Sequence, residues 1–407
     1  MKIRFTLIYS LILGLLLCTA CHEDDDVEAG KNMLPPGPEY VKEGNYCLNV
    51  VYYIRKGLDT LDNWHSIYSS YLKTLQSEYR AQMTRCGYKD KTFNLEVNKQ
   101  NPAYIHILRL EGQNDTARTS QEVITEVMDY LNLHPEKKSG FFTVIFTPGM
   151  SLSTSAWNLM DDNNEMTASG LISAYTPASL NNGGVGTLMM TFGKMCFLAY
   201  NTEPFTHVYY SMMNQTNGPS YWGISTRLLP ADAMWLNQNQ IFNDKEKSYY
   251  TDSPEVNVTH SDFKFENDEV VVNCEFNSLQ NVVGVVVYND PWSYADREDD
   301  ILDNGYTIRD AVPYATDEVN KSGSNYKISV RIPWNDLAVT YKVPKSGELY
   351  CEAEIRFRFL IEDGLAVPME NKGDIKSGFR YPYKIKDYVP DFLDQVDTDI
   401  EEPDGEE

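Results

Sequence analysis

The hydrophobic period of this chain changes near residue 250, and that change rules out a fold of one uniform kind. Before it, apolar residues recur every three to four positions. Trp64, Tyr68, Tyr71, Leu75, Tyr79 and Met83 mark one face of a helix. After it the spacing is two. In "CEAEIRFRFLIEDG" (Cys351 to Gly364), Ala353, Ile355, Phe357, Phe359 and Ile361 alternate with Glu352, Glu354, Arg356 and Arg358, as a strand with one apolar face requires. "EVVVNCEF", "NVVGVVVYNDP" and "YKISVRIP" also read as strands, with turn residues between them. The two periods predict an α+β chain, with a mixed α/β domain over residues 43–247 and an antiparallel β-sandwich over residues 254–386. "NDKEKSYYTDSP" (Asn243 to Pro254) reads as the polar linker between them. A length of 407 residues lets each part bury its own core.

The first part opens with a buried strand, "NYCLNVVYYIRKG". A helix follows, with Asp62 placed to cap it and Gly87 placed to close it. Phe93, Leu95 and Val97 alternate as a strand, with "AYIHILRLEG" as the expected hairpin partner. "TSQE" (Thr119 to Glu122) is a capping box for a second helix that Pro135 ends. "FFTVIFTPG" is a further strand. This βαββαβ order implies a layered sheet with mostly parallel pairing. In the second part, short strands separated by turns imply an immunoglobulin-like sandwich.

The N-terminus reads as an export signal. Lys2 and Arg4 precede an apolar run, Phe5 to Leu17, too short to span a bilayer. It ends in "CTAC", which resembles the lipobox of bacterial lipoproteins. Residues 1–21 are then a lipoprotein signal peptide, and Cys21 is the lipidated first residue of the mature chain. Cys18 stands where the lipobox usually has Leu. "HEDDD" (His22 to Asp26) follows at once and resembles the signal that sends Bacteroidota lipoproteins to the outer face of the outer membrane. Residues 22–42, which include the Pro-rich "AGKNMLPPGPEY", are expected as a tether, and the acidic residues 387–407 as a disordered tail. The partner so implied is a membrane, through the lipid anchor, with the chain facing the cell exterior.

A net charge of −24 argues against nucleic acid and against anionic membrane surfaces as partners. The 28 tyrosines suit β-rich cores and surfaces that face protein or glycan. Cys47, Cys86, Cys196, Cys274 and Cys351 remain after the signal and the lipidated residue. They form no C-x-x-C pair and read as free buried thiols; Cys274 and Cys351, both in expected strands, are the one pair that could bridge.

Three stretches together resemble metzincin-type zinc peptidases. One is the opening run from "VVYYIRKG" through "GYKDKTFNLEV" to "YIHILRLEG". The others are "YYSMMNQ" (Tyr209 to Gln215), similar to the Met-turn, and "RLLPADAMWLNQNQIFN" (Arg227 to Asn243), similar to the helix packed after it. The likeness covers roughly residues 46–243 and implies a zincin-like first domain. The chemistry does not follow. A zincin carries H-E-x-x-H, two ligands one helical turn apart with the general base beside the first. The place for it, "MTFGKMCFLAYN" (Met190 to Asn201), holds no His, Glu or Asp. Met195, Phe197, Leu198 and Tyr200 there read as core. The histidines are His22, His65, His106, His134, His207 and His260, no two within a helical turn. His207, shortly before Met212, is the sole candidate for a relic ligand, against the plainer reading of a loop histidine. "GMSLS" at Gly149 lacks the closing Gly of a nucleophile elbow, and "NNGGVG" (Asn181 to Gly186) reads as a turn.

In the second domain, the loop "NDPWSYADREDDILDNGY" has ligand-like content. Trp292 and Tyr294 could stack on a sugar, and Asp296, Glu298, Asp300 and Asp303 could hold calcium, though Ile301 replaces the Gly an EF-hand requires. An ordinary solvated loop is the plain alternative. No cofactor is predicted beyond that calcium. The sequence therefore supports a surface lipoprotein whose peptidase-derived domain binds or adheres to an extracellular protein or glycan without catalysis. A glycan-binding accessory lipoprotein of a nutrient-uptake system is the alternative, and a metallopeptidase with atypical ligands is the second.

Overall fold

The computed structural model describes residues 38–113, 118–161, 166–174, 182–204, 206–214, 226–250, 254–290, 311–337, 340–342, 350–367, 379–386 and 389–392. The strands of the first half are β1 (Tyr40–Lys42), β2 (Asn49–Ile54), β3 (Glu96–Asn98), β4 (Leu108–Glu111), β5 (Phe142–Phe146), β6 (Ser155–Met160), β7 (Met166–Ser173), β8 (Tyr210–Ser211) and β9 (Thr226–Arg227). Its helices are α1 (Trp64–Arg85), α2 (Ser120–Leu133), α3 (Asn182–Met195) and α4 (Pro230–Gln238).

A five-stranded sheet runs β4-β2-β5-β7-β6. It is parallel from β4 to β7, and only β6 is antiparallel. Every residue of β2 is buried, because helices cover both faces. Val50, Tyr52 and Ile54 pack with Tyr68, Leu72, Leu75 and Tyr79 of α1. Val51 and Tyr53, pointing the other way, pack with Val123, Ile124, Val127 and Leu131 of α2. Period two in the strand thus meets period 3.6 in two different helices.

The capping box at Thr119 and Glu122 forms with both hydrogen bonds present. The end of α1 is a Schellman turn: Gly87, at φ +92°, donates to Thr84, and Tyr88 donates to Met83. Its start differs from expectation. Asn63, not Asp62, is the N-cap, left-handed at φ 56° and without a side-chain cap, a conformation that Asn tolerates. The expected hairpin also divides. Tyr104 and His106 bond back to Asn98 and Glu96, but β4 leaves that pairing and joins β2 in parallel. The Leu108, Leu110 side can then pack over α2.

The second half is wholly antiparallel. Its strands are β10 (Val256–Glu266), β11 (Glu269–Ser278), β12 (Val282–Asp290), β13 (Val312–Thr316), β14 (Asn320–Ser322), β15 (Asn325–Pro333), β16 (Thr340–Lys342), β17 (Tyr350–Ile361), β18 (Ala366–Val367), β19 (Arg380–Lys386) and β20 (Val389–Phe392). One sheet runs β10-β11-β15-β14; the other runs β13-β12-β17-β19-β20, with β16 and β18 also on β17. Phe276 of the first sheet meets Phe359 of the second at 4.5 Å between ring centres. Cys47, Cys86, Cys196 and Cys274 are free thiols, so the Cys274–Cys351 bridge is not made.

Three sequence boundaries move. Tyr40–Lys42 pairs with β3 and so belongs to the fold, not to a tether ending at residue 42. Val389–Phe392 pairs with β19, past the expected limit at residue 386. The expected linker is packed instead of solvated: Tyr249 and Tyr250 are 6% and 4% exposed. Tyr250 sits at φ 59°, donates its N–H to Asp363, and accepts at its hydroxyl from the Gln240 N–H. Gly364, at φ +92°, leaves room for its ring. One continuous core runs from α1 through α3 and α4 into both sheets of the second half, and the chain from Tyr40 onward is one compact unit.

Candidate functional site

Helix α3 lies where the sequence comparison with zinc peptidases looked for ligands, and it begins at Asn182. "NNGGVG" is therefore largely helix and not a turn. The extended form of the metal motif spans eleven residues, H-E-x-x-H-x-x-G-x-x-H. Laid on Met190 to Tyr200, it puts Met190, Lys194 and Tyr200 at the three ligand positions, Thr191 at the base and Phe197 at the Gly. Phe197 has φ 69°, the left-handed conformation for which Gly is the ordinary choice. The chain turns there just after α3, with the Phe197 and Leu198 N–H groups donating to Lys194 and Gly193.

The side chains at these positions suit no zinc ion. A protonated lysine has no lone pair to offer, and thioether and phenol are poor partners for a metal that selects thiolate, imidazole and carboxylate. Instead the Lys194 ammonium lies 4.3 Å from the centre of the Tyr200 ring, a cation–π contact between the second and third ligand positions. Met212 and Met213 are buried, and a Cβ on Gly193 would stand 2.5 Å from the Met213 sulfur. Met195 and Leu198 are core, as the sequence implies.

Beside α3 lies a pocket of 380 Å³ lined by Trp157, Asn158, Lys194, Phe197, Trp235 and Arg358, with Ala156, Met160, Met166, Leu365 and Ala366. Its size is that of a small-molecule site. β6 forms one wall, and among the described residues no strand pairs with the outer side of this edge. Gly170 lets the Trp157 indole lie flat over β7, since a Cβ there would meet that ring and the Thr143 carbonyl. Ser169, fully buried, donates to Asn158 at 2.8 Å, and its hydroxyl is also 2.7 Å from the Met195 carbonyl that ends α3.

The opposite wall comes from α4 and β17. Arg358 is 2% exposed, and its guanidinium stacks on Trp235 at 4.4 Å. Among the described residues, Arg358 Nε and Nη1 and the indole nitrogens of Trp157 and Trp235 have no hydrogen-bond partner. Behind them Asp232, in the first turn of α4, accepts from Asn201 at 2.8 Å. Burial pushes its carboxyl up to about 7, against the pull of the Asn201 amide, the Leu229 N–H and Arg358.

Of the polar site residues that the sequence singled out, His207 alone lies among the described residues. His207 is exposed, and its ring rests on Tyr209 at 4.8 Å. Among the described residues no group of three His, Cys, Asp or Glu could hold a metal. Cys21 and the loop with Trp292, Tyr294, Asp296, Glu298, Asp300 and Asp303 lie outside the described residues. Lys194, Trp157, Trp235, Arg358 and Asp232 were not anticipated. Carrying the eleven-residue spacing through to Tyr200 would have found Lys194; the others have no local signature.

In class the molecule is an α+β protein, a mixed sheet covered by helices on both faces and continued by an antiparallel β half. No protein-family model matches the sequence, and no curated protein matches it. The fold is shared with OgpA from Akkermansia muciniphila. The wild-type crystal structure superposes with a TM-score of 0.65 at 18% identity, covering 86% of this chain and 96% of OgpA. Catalytically inactive OgpA, in complex with an O-glycopeptide (glycodrosocin) substrate, gives 0.64 at 19%, covering 86% and 95%.

Proposed function

We propose that this chain is a surface lipoprotein that binds glycosylated peptide without cleaving it, on a zincin-like fold whose metal centre has been replaced. The observation that carries this reading is the Lys194–Tyr200 contact, a cation and a phenol at two of the three positions a zinc ion would need. Support for the ligand class comes from the shared fold with OgpA, whose inactive form was crystallised with an O-glycopeptide. The open edge of β6 beside an aromatic pocket suits such a ligand, because an extended peptide can add to a sheet edge while its sugar enters the pocket. An immunoglobulin-like second domain and a lipid anchor at Cys21 belong to the same reading.

The test is to incubate the protein with an O-glycopeptide and follow it by calorimetry and mass spectrometry. Saturable binding with the peptide intact after prolonged incubation is the expected result. Cleavage, or no binding, contradicts it. Palmitate labelling lost in Cys21→Ser checks the anchor separately.

A further inference from the structure

Four hydrogen-bond donors of residues that line the pocket lack an acceptor. They are Arg358 Nε and Nη1 and the indole N–H groups of Trp157 and Trp235, all buried and all without a partner among the described residues. A buried guanidinium costs several kcal/mol unless an anion meets it. Glu354 of its own strand and Asp290 of β12 engage Arg356. Asp232 faces it from α4, but one carboxylate oxygen is taken by Asn201 and burial raises the carboxyl to about 7, which weakens it as a counter-ion. Lys194 adds a second cation to the same lining. Trp157, Phe197 and Trp235 supply the aromatic surface against which a ring can lie.

We propose that the pocket between β6, α4 and β17 takes an acidic sugar, its anionic group, carboxylate or sulfate, held by Arg358 and Lys194 and its ring lying against the two indoles. The assignment rests on the glycopeptide-binding reading and narrows its ligand to anionic glycans. Arg358 matches a carboxylate or sulfate with paired N–H donors, which Lys194 as a point charge cannot.

The experiment is calorimetry with the α-methyl glycoside of N-acetylneuraminic acid and its uncharged methyl ester, and with galactose 6-sulfate and galactose. An O-glycopeptide bearing a neutral disaccharide is the reference. The acid or the sulfate should bind at least tenfold tighter than its neutral counterpart. Arg358→Gln and Lys194→Gln should each remove that preference. Because Arg358 is buried, Lys194→Gln, with an unchanged melting temperature, decides if the first variant does not fold. Equal binding of charged and neutral forms overturns the proposal, as does a preference that survives in a folded variant. Silence of both acidic sugars with the neutral glycopeptide still bound removes this inference alone; silence of all ligands removes the glycopeptide reading with it.

Discussion

β15 and β17 carry the same alternation in sequence and meet opposite fates. In β15 the apolar residues Tyr326, Ile328, Val330 and Ile332 are buried and the residues between them are exposed. Lys327 and Arg331 there make surface pairs with Glu275 and Glu269. In β17 both sets are buried: Ala353, Ile355, Phe357 and Phe359 on one side, Glu354, Arg356 and Arg358 on the other, at 0%, 2% and 2% exposure. Alternation tells which face enters the sandwich core. It does not tell whether the other face is wet, because a second layer can cover it. Here Trp235 of α4 stacks on Arg358, while Arg356 is paired within its own sheet by Glu354 and Asp290.

That contrast can be tested from its strongest point downward. Arg356→Ala strands Asp290 and Glu354 as buried charges, and should cost about 3–5 kcal/mol in denaturant unfolding; a shift inside 1 kcal/mol by that estimate would put the covered face of β17 in water. Next is Gly170→Ala, whose methyl would press on Trp157 and the Thr143 carbonyl. Overpacking of this kind costs about 1–3 kcal/mol, and the proposed glycan binding should weaken as the indole moves. Asp232→Asn should alter pH dependence more than stability at low pH. The folded carboxyl holds its proton to about pH 7, whereas the unfolded one releases it near the ordinary 3.8. The folded state thus binds more protons across that window, and wild-type stability must fall as pH rises through it. Urea midpoints at pH 5 and pH 8 should differ less in the variant; an equal fall in both proteins removes Asp232 as the cause. At the bottom stands Arg331→Ala on β15, a solvated surface pair that should leave the midpoint unmoved within error.

Local patterns were legible and the site was not. The period of α1, the capping box at Thr119 and the closing Gly87 are short-range signals, and each has its counterpart in the structure. The hairpin expected around Val97 half failed, because pairing at β4 is settled by β2, more than fifty residues upstream. The linker reading of Asn243–Pro254 failed for a related reason. Asp244, Lys245, Glu246 and Ser248 are exposed, but Tyr249 and Tyr250 are claimed by Asp363, Gly364 and the aromatic cluster around Phe141 and Phe197. The pocket draws on β6, α3, α4 and β17, and no stretch of ten residues contains two of its charged groups. Only the eleven-residue spacing from Met190 to Tyr200 was open to reading, and that stretch holds none of the letters by which a zinc motif is recognised.

The central proposal is positional: Met190, Lys194 and Tyr200 occupy the places that the three ligands of an eleven-residue zinc motif would take. Elemental mass spectrometry of the dialysed protein tests it, beside a variant carrying Met190→His, Lys194→His and Tyr200→His. The account predicts no stoichiometric zinc in the wild type and one zinc per chain in the folded variant. One zinc per chain in the wild type would contradict it outright, and a folded variant that takes none would show that the three positions do not converge.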